Sequence, residues 1–158
     1  TSNVDEHFEK SGYDVDKIYT IHGDLKHTQC SNKCCRDLHP MPNFTSPLDS
    51  IDEAPHCPKC GSIMRPAVMM FNDPWVVMNE IDRQAALCLE WMSTKSNIVG
   101  IEIGAGLVVP SLRIYGEERT STLIRINPYD FQIHRPDDIA IEATAVEGID
   151  TLIKMLGK

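Results

Sequence analysis

The sequence contains no apolar run approaching the ~20 residues needed to cross a bilayer, which excludes a transmembrane helix as a membrane anchor. Its first residues, Thr1-Ser2-Asn3-Val4-Asp5, carry neither a basic segment nor an apolar one, so no signal peptide is expected. Basic residues are in deficit, 15 Lys and Arg against 23 Asp and Glu, for a net charge of -8. Direct nucleic-acid binding is therefore not expected, because it rests on cations neutralising many phosphates. No internal repeat or low-complexity tract is present. What remains is an ordinary globular composition, 42% hydrophobic and 24% charged over 158 residues. That length suits one core with a small metal-stapled module added.

Six cysteines without a secretory segment read as metal ligands and buried thiols rather than as a disulfide framework. The expected compartment is reducing: intracellular and cytoplasmic, or nuclear in a eukaryote. In such a compartment the Asn43-Phe44-Thr45 triplet has no role as a glycosylation acceptor. Residues 30–66 lack helical or strand periodicity, and Pro40, Pro42, Pro47, Pro55 and Pro58 forbid long regular elements there. A segment of this kind cannot bury enough apolar surface to hold itself and needs a staple. Cys30 with Cys34 or Cys35, followed by Cys57 and Cys60, approximate the spacing of a structural zinc ribbon. Cys34 is favoured over Cys35, since Cys35 then takes the turn position that Gly61 holds in the second pair. Four thiolates would close the tetrahedron and leave no water position, so the zinc is expected to be structural.

Along the chain, residues 6–10 read as a short helix closed by Gly12. Residues 17–21 read as a strand ending at His22-Gly23, and residues 67–71 as a buried strand running into Asn72-Asp73-Pro74. Ile81, Ala85, Cys88 and Met92 share one face of a helix over 79–92, which makes Cys88 a core thiol. The β-branched run 98–103 is a strand ending in Gly104-Ala105-Gly106, and Pro110 opens a helix that Gly116 ends. Residues 122–126 form the next strand, with Asn127-Pro128 at the sheet's carboxyl edge, where ligands of open α/β folds collect. Asp137 and Asp138 read as a solvated loop, and Val146, Ile149, Ile153 and Leu156 as the packing face of a C-terminal helix. Strand, glycine turn, helix and strand make half of a dinucleotide-binding arrangement, although Val109 stands where a third glycine would be. The expected fold class is α/β, part of a Rossmann-like parallel-sheet NAD-binding domain over residues 1–29 and 67–158. A small four-cysteine zinc-ribbon module over residues 30–66 is inserted in it.

Several separated motifs agree in order and spacing with one family, and the chain resembles the carboxyl-terminal part of a sirtuin, an NAD-dependent protein lysine deacylase. Thr1-Ser2-Asn3-Val4-Asp5 is similar to the T-Q-N-[IV]-D motif, and His22-Gly23 to the H-G pair with the catalytic histidine. The cysteine pairs match the family's zinc site. Arg65-Pro66 through Phe71-Asn72-Asp73 resembles R-P-x-V-V-x-F-G-E, Gly104-Ala105-Gly106 the G-T-S turn, and Ile126-Asn127 the I-N pair. Ala143-Thr144-Ala145 stands near the adenine-side loop. The family's earlier G-A-G-x-S-x-x-S-G-I-P-x-F-R segment has no counterpart, so a fragment of a longer, divergent protein is expected, inactive in isolation.

The resemblance implies NAD as co-substrate, structural zinc, and an acylated lysine in a protein or peptide as partner. The acyl group would pass to ADP-ribose with release of nicotinamide, and His22 would act as general base. Ser2, Asn3, Asp5, Gly104, Ala105, Gly106, Asn127 and Thr144 would contact NAD. Val68, Met70 and Phe71 would contact an extended substrate added as a strand. Asn72-Asp73 in place of Gly-Glu and Ala105-Gly106 in place of Thr-Ser leave NAD hydrolysis or ADP-ribosyl transfer as the alternative chemistry. A non-catalytic zinc module is the further alternative. His7, His27, His39, His56 and His134 read as surface or loop residues.

Overall fold

The computed structural model describes residues 1–44 and 47–157, so Thr45 of the Asn43-Phe44-Thr45 triplet lies outside the described residues. The chain forms two compact units, Thr1–Trp91 and Met92–Lys158.

In the first unit, helix α1 (His7–Lys10) ends at Gly12, whose φ of 86° supplies the expected left-handed turn. Strands β1 (Gly23–Cys30), β2 (His39–Pro40) and β3 (Met64–Val68) form an antiparallel sheet in the order β2-β1-β3. The strand expected over 17–21 is absent. Ile18 is extended, but the backbone partners of this segment lie in Thr1, whose N donates to Tyr19 O and whose O accepts from Ile21 N. Buried Thr20 instead donates its amide and its hydroxyl to Gln84 Oε1, both at 2.9 Å, from helix α2 (Asn79–Ser93). Helix α2 forms over the expected span, with Ile81 and Gln84 buried and Cys88 only half-buried rather than in the core.

The strand expected over 67–71 is also displaced. The pairing of β1 with β3 ends at Gly23↔Val68, because β1 begins there, and the apolar residues beyond have no strand to pair with. Met70 and Phe71 are consequently exposed, Phe71 at 87%. A register shift between Asp24 and Thr28 leaves three β1 amides outside the β3 ladder. The buried Asp24 carboxylate accepts two of them, Lys26 N at 2.9 Å and His27 N at 3.1 Å, while Leu25 N donates to Val4 O at 3.1 Å. His27 is therefore not a loop residue: it lies in β1, with Nδ1 2.8 Å from Asp24. His39 belongs to β2, again against expectation.

The second unit carries a parallel sheet, β4 (Val99–Ile103), β5 (Thr122–Ile126) and β6 (Ile139–Ile141), in the order β4-β5-β6. Helix α3 (Ser111–Arg119) does not end at Gly116. A Cβ there would stand 3.2 Å from the Leu123 side chain, so the glycine permits close approach of the helix to β5. Helix α4 (Ala145–Met155) buries Gly148, while its expected apolar face, Val146, Ile149, Ile153 and the following Leu156, stays exposed.

Asp138 is not solvated either. Its buried carboxylate accepts Leu123 N at 2.8 Å and both Arg135 Nε and Nη2, at 2.8 and 2.7 Å. Arg135 Nη1 in turn reaches the Glu117 and Thr120 carbonyls at the end of α3, capping that helix. The Arg135 hydrogen bond, seconded by that from Leu123, holds the Asp138 carboxyl below its ordinary value. A carboxyl whose pKa is lower folded than unfolded contributes stability above the unfolded value, about 3.9, and loses it as pH falls through the folded value. Calorimetric melting from pH 6 to pH 2 is expected to show a steeper acid loss in the parent chain than in Asp138→Asn. Parallel pH profiles would refute this assignment.

Candidate functional site

The four candidate ligand sulfurs, from Cys30, Cys34, Cys57 and Cys60, all lie within 4.8 Å of one another. Cys30–Cys34 and Cys30–Cys60 are 3.6 Å apart, and Cys34–Cys57 are 3.5 Å apart. A zinc ion binding thiolates at about 2.3 Å sets tetrahedral sulfurs about 3.8 Å apart, so the cluster fits that ion by size and by donor type. Sequence order produces the cluster locally. Cys30 ends β1 opposite Met64, and Lys33 turns the chain back with φ of 60° and an amide bond to Cys30 O. The second pair is closed by Cys57 N to Ser62 O at 2.7 Å and Gly61 N to Cys57 O at 2.8 Å, with Gly61 at φ 70°. Lys59 meets Asp37 at 2.8 Å, linking the two knuckles at the surface. A dication at the centre of the cluster would hold all four as thiolates.

His22 stands in the turn between the Thr20 anchor and β1. Gly23 N bonds Thr20 O at 3.1 Å, and Gly23 has φ of 84°; a Cβ there would lie 2.1 Å from Ala67 O. Only glycine fits this position, which fixes the histidine immediately before it. The His22 carbonyl accepts Met69 N at 2.8 Å, so the candidate base adjoins the segment carrying Val68, Met70 and Phe71. No hydrogen bond engages the His22 imidazole among the described residues, which leaves both ring nitrogens available. The Thr1 and Val4 backbone bonds to residues 19–25 bring the Ser2, Asn3 and Asp5 segment alongside the same turn. Asp5 Oδ1 accepts His7 N at 3.1 Å at the start of α1, so part of its carboxylate is committed there.

Arg65 closes the corner at the end of this segment. Its guanidinium pairs with Asp73 and donates to Val68 O at 3.1 Å, while Asp73 Oδ1 accepts Trp75 N at 3.0 Å. Asn72 takes φ of 58°, a left-handed conformation that asparagine tolerates better than most residues after glycine. The Asn72-Asp73 pair thus keeps both a left-handed corner and a carboxylate against Arg65. The signal available in the sequence was the Arg-Pro at one end of the segment and the acid at the other.

In the second unit, Gly104-Ala105-Gly106 follows β4, Asn127 follows β5, and Thr144 follows β6 as the N-cap of α4, all at the carboxyl edge of the parallel sheet. Gly104 has φ of 68°, and a Cβ added at Gly104 or Gly106 would meet nothing within 4 Å, so the turn is open to a ligand. Asn127 is buried, with Nδ2 donating to Ala105 O at 3.1 Å and Oδ1 accepting Tyr129 N and Asp130 N. Its carboxamide ties the two turns together. Glu147 accepts from Thr144 N at 3.1 Å and Oγ1 at 2.7 Å, a capping box. Below this edge, buried Arg125 forks onto Glu102 at 2.6 and 3.0 Å and reaches Glu117 at 2.7 Å. Arg113 holds Ala105 O at 2.9 Å and Asp130 O at 2.8 Å.

A family model described as the Sir2 family matches residues 1–120. The chain is 29% identical over 166 residues to NAD-dependent protein deacylase 2 of Corynebacterium efficiens, an alignment covering 99% of this chain and 59% of that protein. It is 27% identical to an NAD-dependent protein deacetylase of Caldivirga maquilingensis, covering 97% of this chain and 56% of that protein. The chain thus spans about three fifths of the length of these relatives. Among solved structures, Sir2Tm bound to a propionylated peptide superposes with a TM-score of 0.65 at 18% identity, covering 99% of this chain and 62% of that one. A Sir2 homologue in complex with ADP-ribose gives 0.65 at 22%, covering 99% and 58%. These two share the fold. Since the family model spans the histidine turn, the cysteine cluster and the Arg65–Asp73 corner, the chain belongs to the Sir2 family.

Proposed function

We propose that this chain carries the histidine, the zinc module and part of the nucleotide-binding sheet of an NAD-dependent protein lysine deacylase. The observation that carries the reading is the His22 O to Met69 N bond, which joins the candidate base to the segment where an acyl-lysine peptide would dock. β-Augmentation by an extended peptide would take place beside residues 68–71, the segment that continues from the edge strand β3 past the last β1–β3 pair. Exposed Met70 and Phe71 would flank that peptide. NAD, when bound, supplies the ribose carbon that takes the acyl group as nicotinamide leaves. His22, with an imidazole free of protein hydrogen bonds, would accept a proton from a ribose hydroxyl, work for which histidine is suited near neutral pH. Asn3 and Asp5 would position nicotinamide and an ordered water. Gly104, Ala105 and Gly106 would offer backbone to the nucleotide, and Thr144, with the α4 N-terminus, would lie on its adenine side. Ser2 would contribute a hydroxyl, and Asn127 would act chiefly by holding the Ala105 turn. Residues 30–66 serve as the zinc module, and the thiol-based metal site supports a cytoplasmic or other intracellular location.

The relatives named as NAD-dependent deacylases and deacetylases support the same chemistry. The test is nicotinamide release by the natural full-length protein that carries this sequence. Release is expected only with both NAD and an acetyl-lysine peptide, and His22→Ala is expected to lower it about a hundredfold or more with zinc content unchanged. Release independent of peptide would replace the reading with NAD hydrolysis or ADP-ribosyl transfer, and no release with any acyl peptide would reject it.

A further inference from the structure

A fifth sulfur lies beside the cluster of four. Cys35 Sγ lies 4.0 Å from Cys57 Sγ, close to the separation of about 3.8 Å between sulfurs sharing one zinc ion. Its side chain is half-buried and packs on the Cys30, Cys57 and Met64 cluster, on the inner side of the site, whereas Cys34 is exposed. The four ligands are also held unequally. Cys30 is fixed in β1 by its pairing with Met64, and the Cys57–Cys60 turn by the Cys57 N and Gly61 N bonds. Among the described residues, no backbone hydrogen bond fixes Cys34 or Cys35; the nearest is Lys33 N to Cys30 O at 3.3 Å.

We propose that Cys35 is a reserve zinc ligand, able to replace its neighbour Cys34, one of the two exposed corners of the tetrahedron. A small rotation of the unfixed 34–35 segment exchanges the two sulfurs while Cys30, Cys57 and Cys60 stay in place. The exchange forms one zinc–sulfur bond to the Cys35 thiolate as the Cys34 bond breaks. The proton Cys35 gives up is taken by the released Cys34 thiolate, directly or through solvent, so the charge of the site does not change. The arrangement protects one of the two exposed ligands, the one whose backbone no hydrogen bond holds, since exposed thiolates are the most open to oxidation.

The experiment measures zinc affinity and cobalt(II) absorption for this chain and its Cys34→Ser, Cys35→Ser, Cys57→Ser and Cys34→Ser/Cys35→Ser variants. Losing one of four ligands outright is expected to weaken binding about a hundredfold or more, as for Cys57→Ser and the double variant. Cys35→Ser should bind as the parent does. Cys34→Ser should stay within about tenfold of the parent and keep the thiolate-to-cobalt band of a four-sulfur site. Cys34→Ser falling as far as Cys57→Ser, or binding cobalt with only three thiolates, would overturn the assignment. Because the readout is metal binding, the result stands apart from whether the deacylase reading holds.

Discussion

Stripped of zinc, the chain should lose the structure of residues 30–66 and the adjoining ends of β1 and β3. The reason is the poverty of the module's own core. Within that span the buried apolar side chains among the described residues are Cys30, Ala54, Cys57 and Met64, and two of these are candidate metal ligands. Burying Ala54 and Met64 is worth only about 2–4 kcal/mol. Ordering each residue of a segment this long costs about 1–2 kcal/mol, a total of tens of kcal/mol. The β1–β3 pairing and knuckle hydrogen bonds offset part of this, and a structural zinc site, at about 10–16 kcal/mol, is a far larger single contribution than the module's apolar burial. Hydrogen exchange on metal-free protein should show lost protection at Ser31, Cys57 and Met64, whose amides bond Ile63, Ser62 and Pro55. The Leu123 and Ile126 amides of β5, in the other unit, serve as the internal reference. Unchanged protection at Cys57 and Met64 after verified removal of the metal would show that the module holds itself.

The legible parts of this molecule were those whose signal is local. Two residues between Cys57 and Cys60, the β-branched run ending at Gly104, and the span of α2 each express their geometry within a few positions. The parts that stayed hidden depend on partners distant in sequence. The apolar residues 67–71 look like a buried strand, yet burial needs a neighbouring strand, and β1 begins too late to cover Met70 and Phe71. Asp138 looks like a surface residue until Leu123 N and Arg135 are placed beside it. Strand β6 is three residues long, too short for its alternation to register. The site shows the same division. His22 and the cysteines carry recognisable motifs, and so does the Arg65-Pro66 end of the next segment. That Asn72-Asp73 keeps the left-handed corner and the ion pair could be seen only from φ and from the Arg65 contact.

Arg125 is the clearest hidden residue, and removing its charge should be the most damaging single change to the second unit. It lies in a strand, Thr122–Ile126, whose neighbours are apolar, and its side chain is fully buried. The parallel register sets Arg125 directly beside Glu102 of β4, and the planar guanidinium matches that carboxylate with two hydrogen bonds while a third reaches Glu117. In Arg125→Met the aliphatic volume is largely kept, but buried Glu102 is left with Arg113 at 3.7 Å as its remaining cationic partner. Breaking a buried pair from one side costs about 3–5 kcal/mol, against a total stability of about 5–15 kcal/mol for a typical domain. Arg113 also holds the Ala105 and Asp130 carbonyls, so its recruitment toward Glu102 should loosen the Gly104-Ala105-Gly106 turn. Replacing both partners, Arg125→Met with Glu102→Met, removes the stranded charge and should recover much of the loss, since apolar substitutes for a buried pair are often neutral or stabilising. Urea unfolding followed by a probe in the second unit separates the cases. A single variant within about 1 kcal/mol of the parent would show that the network is not what holds β4 to β5, and so would a double variant no more stable than the single one.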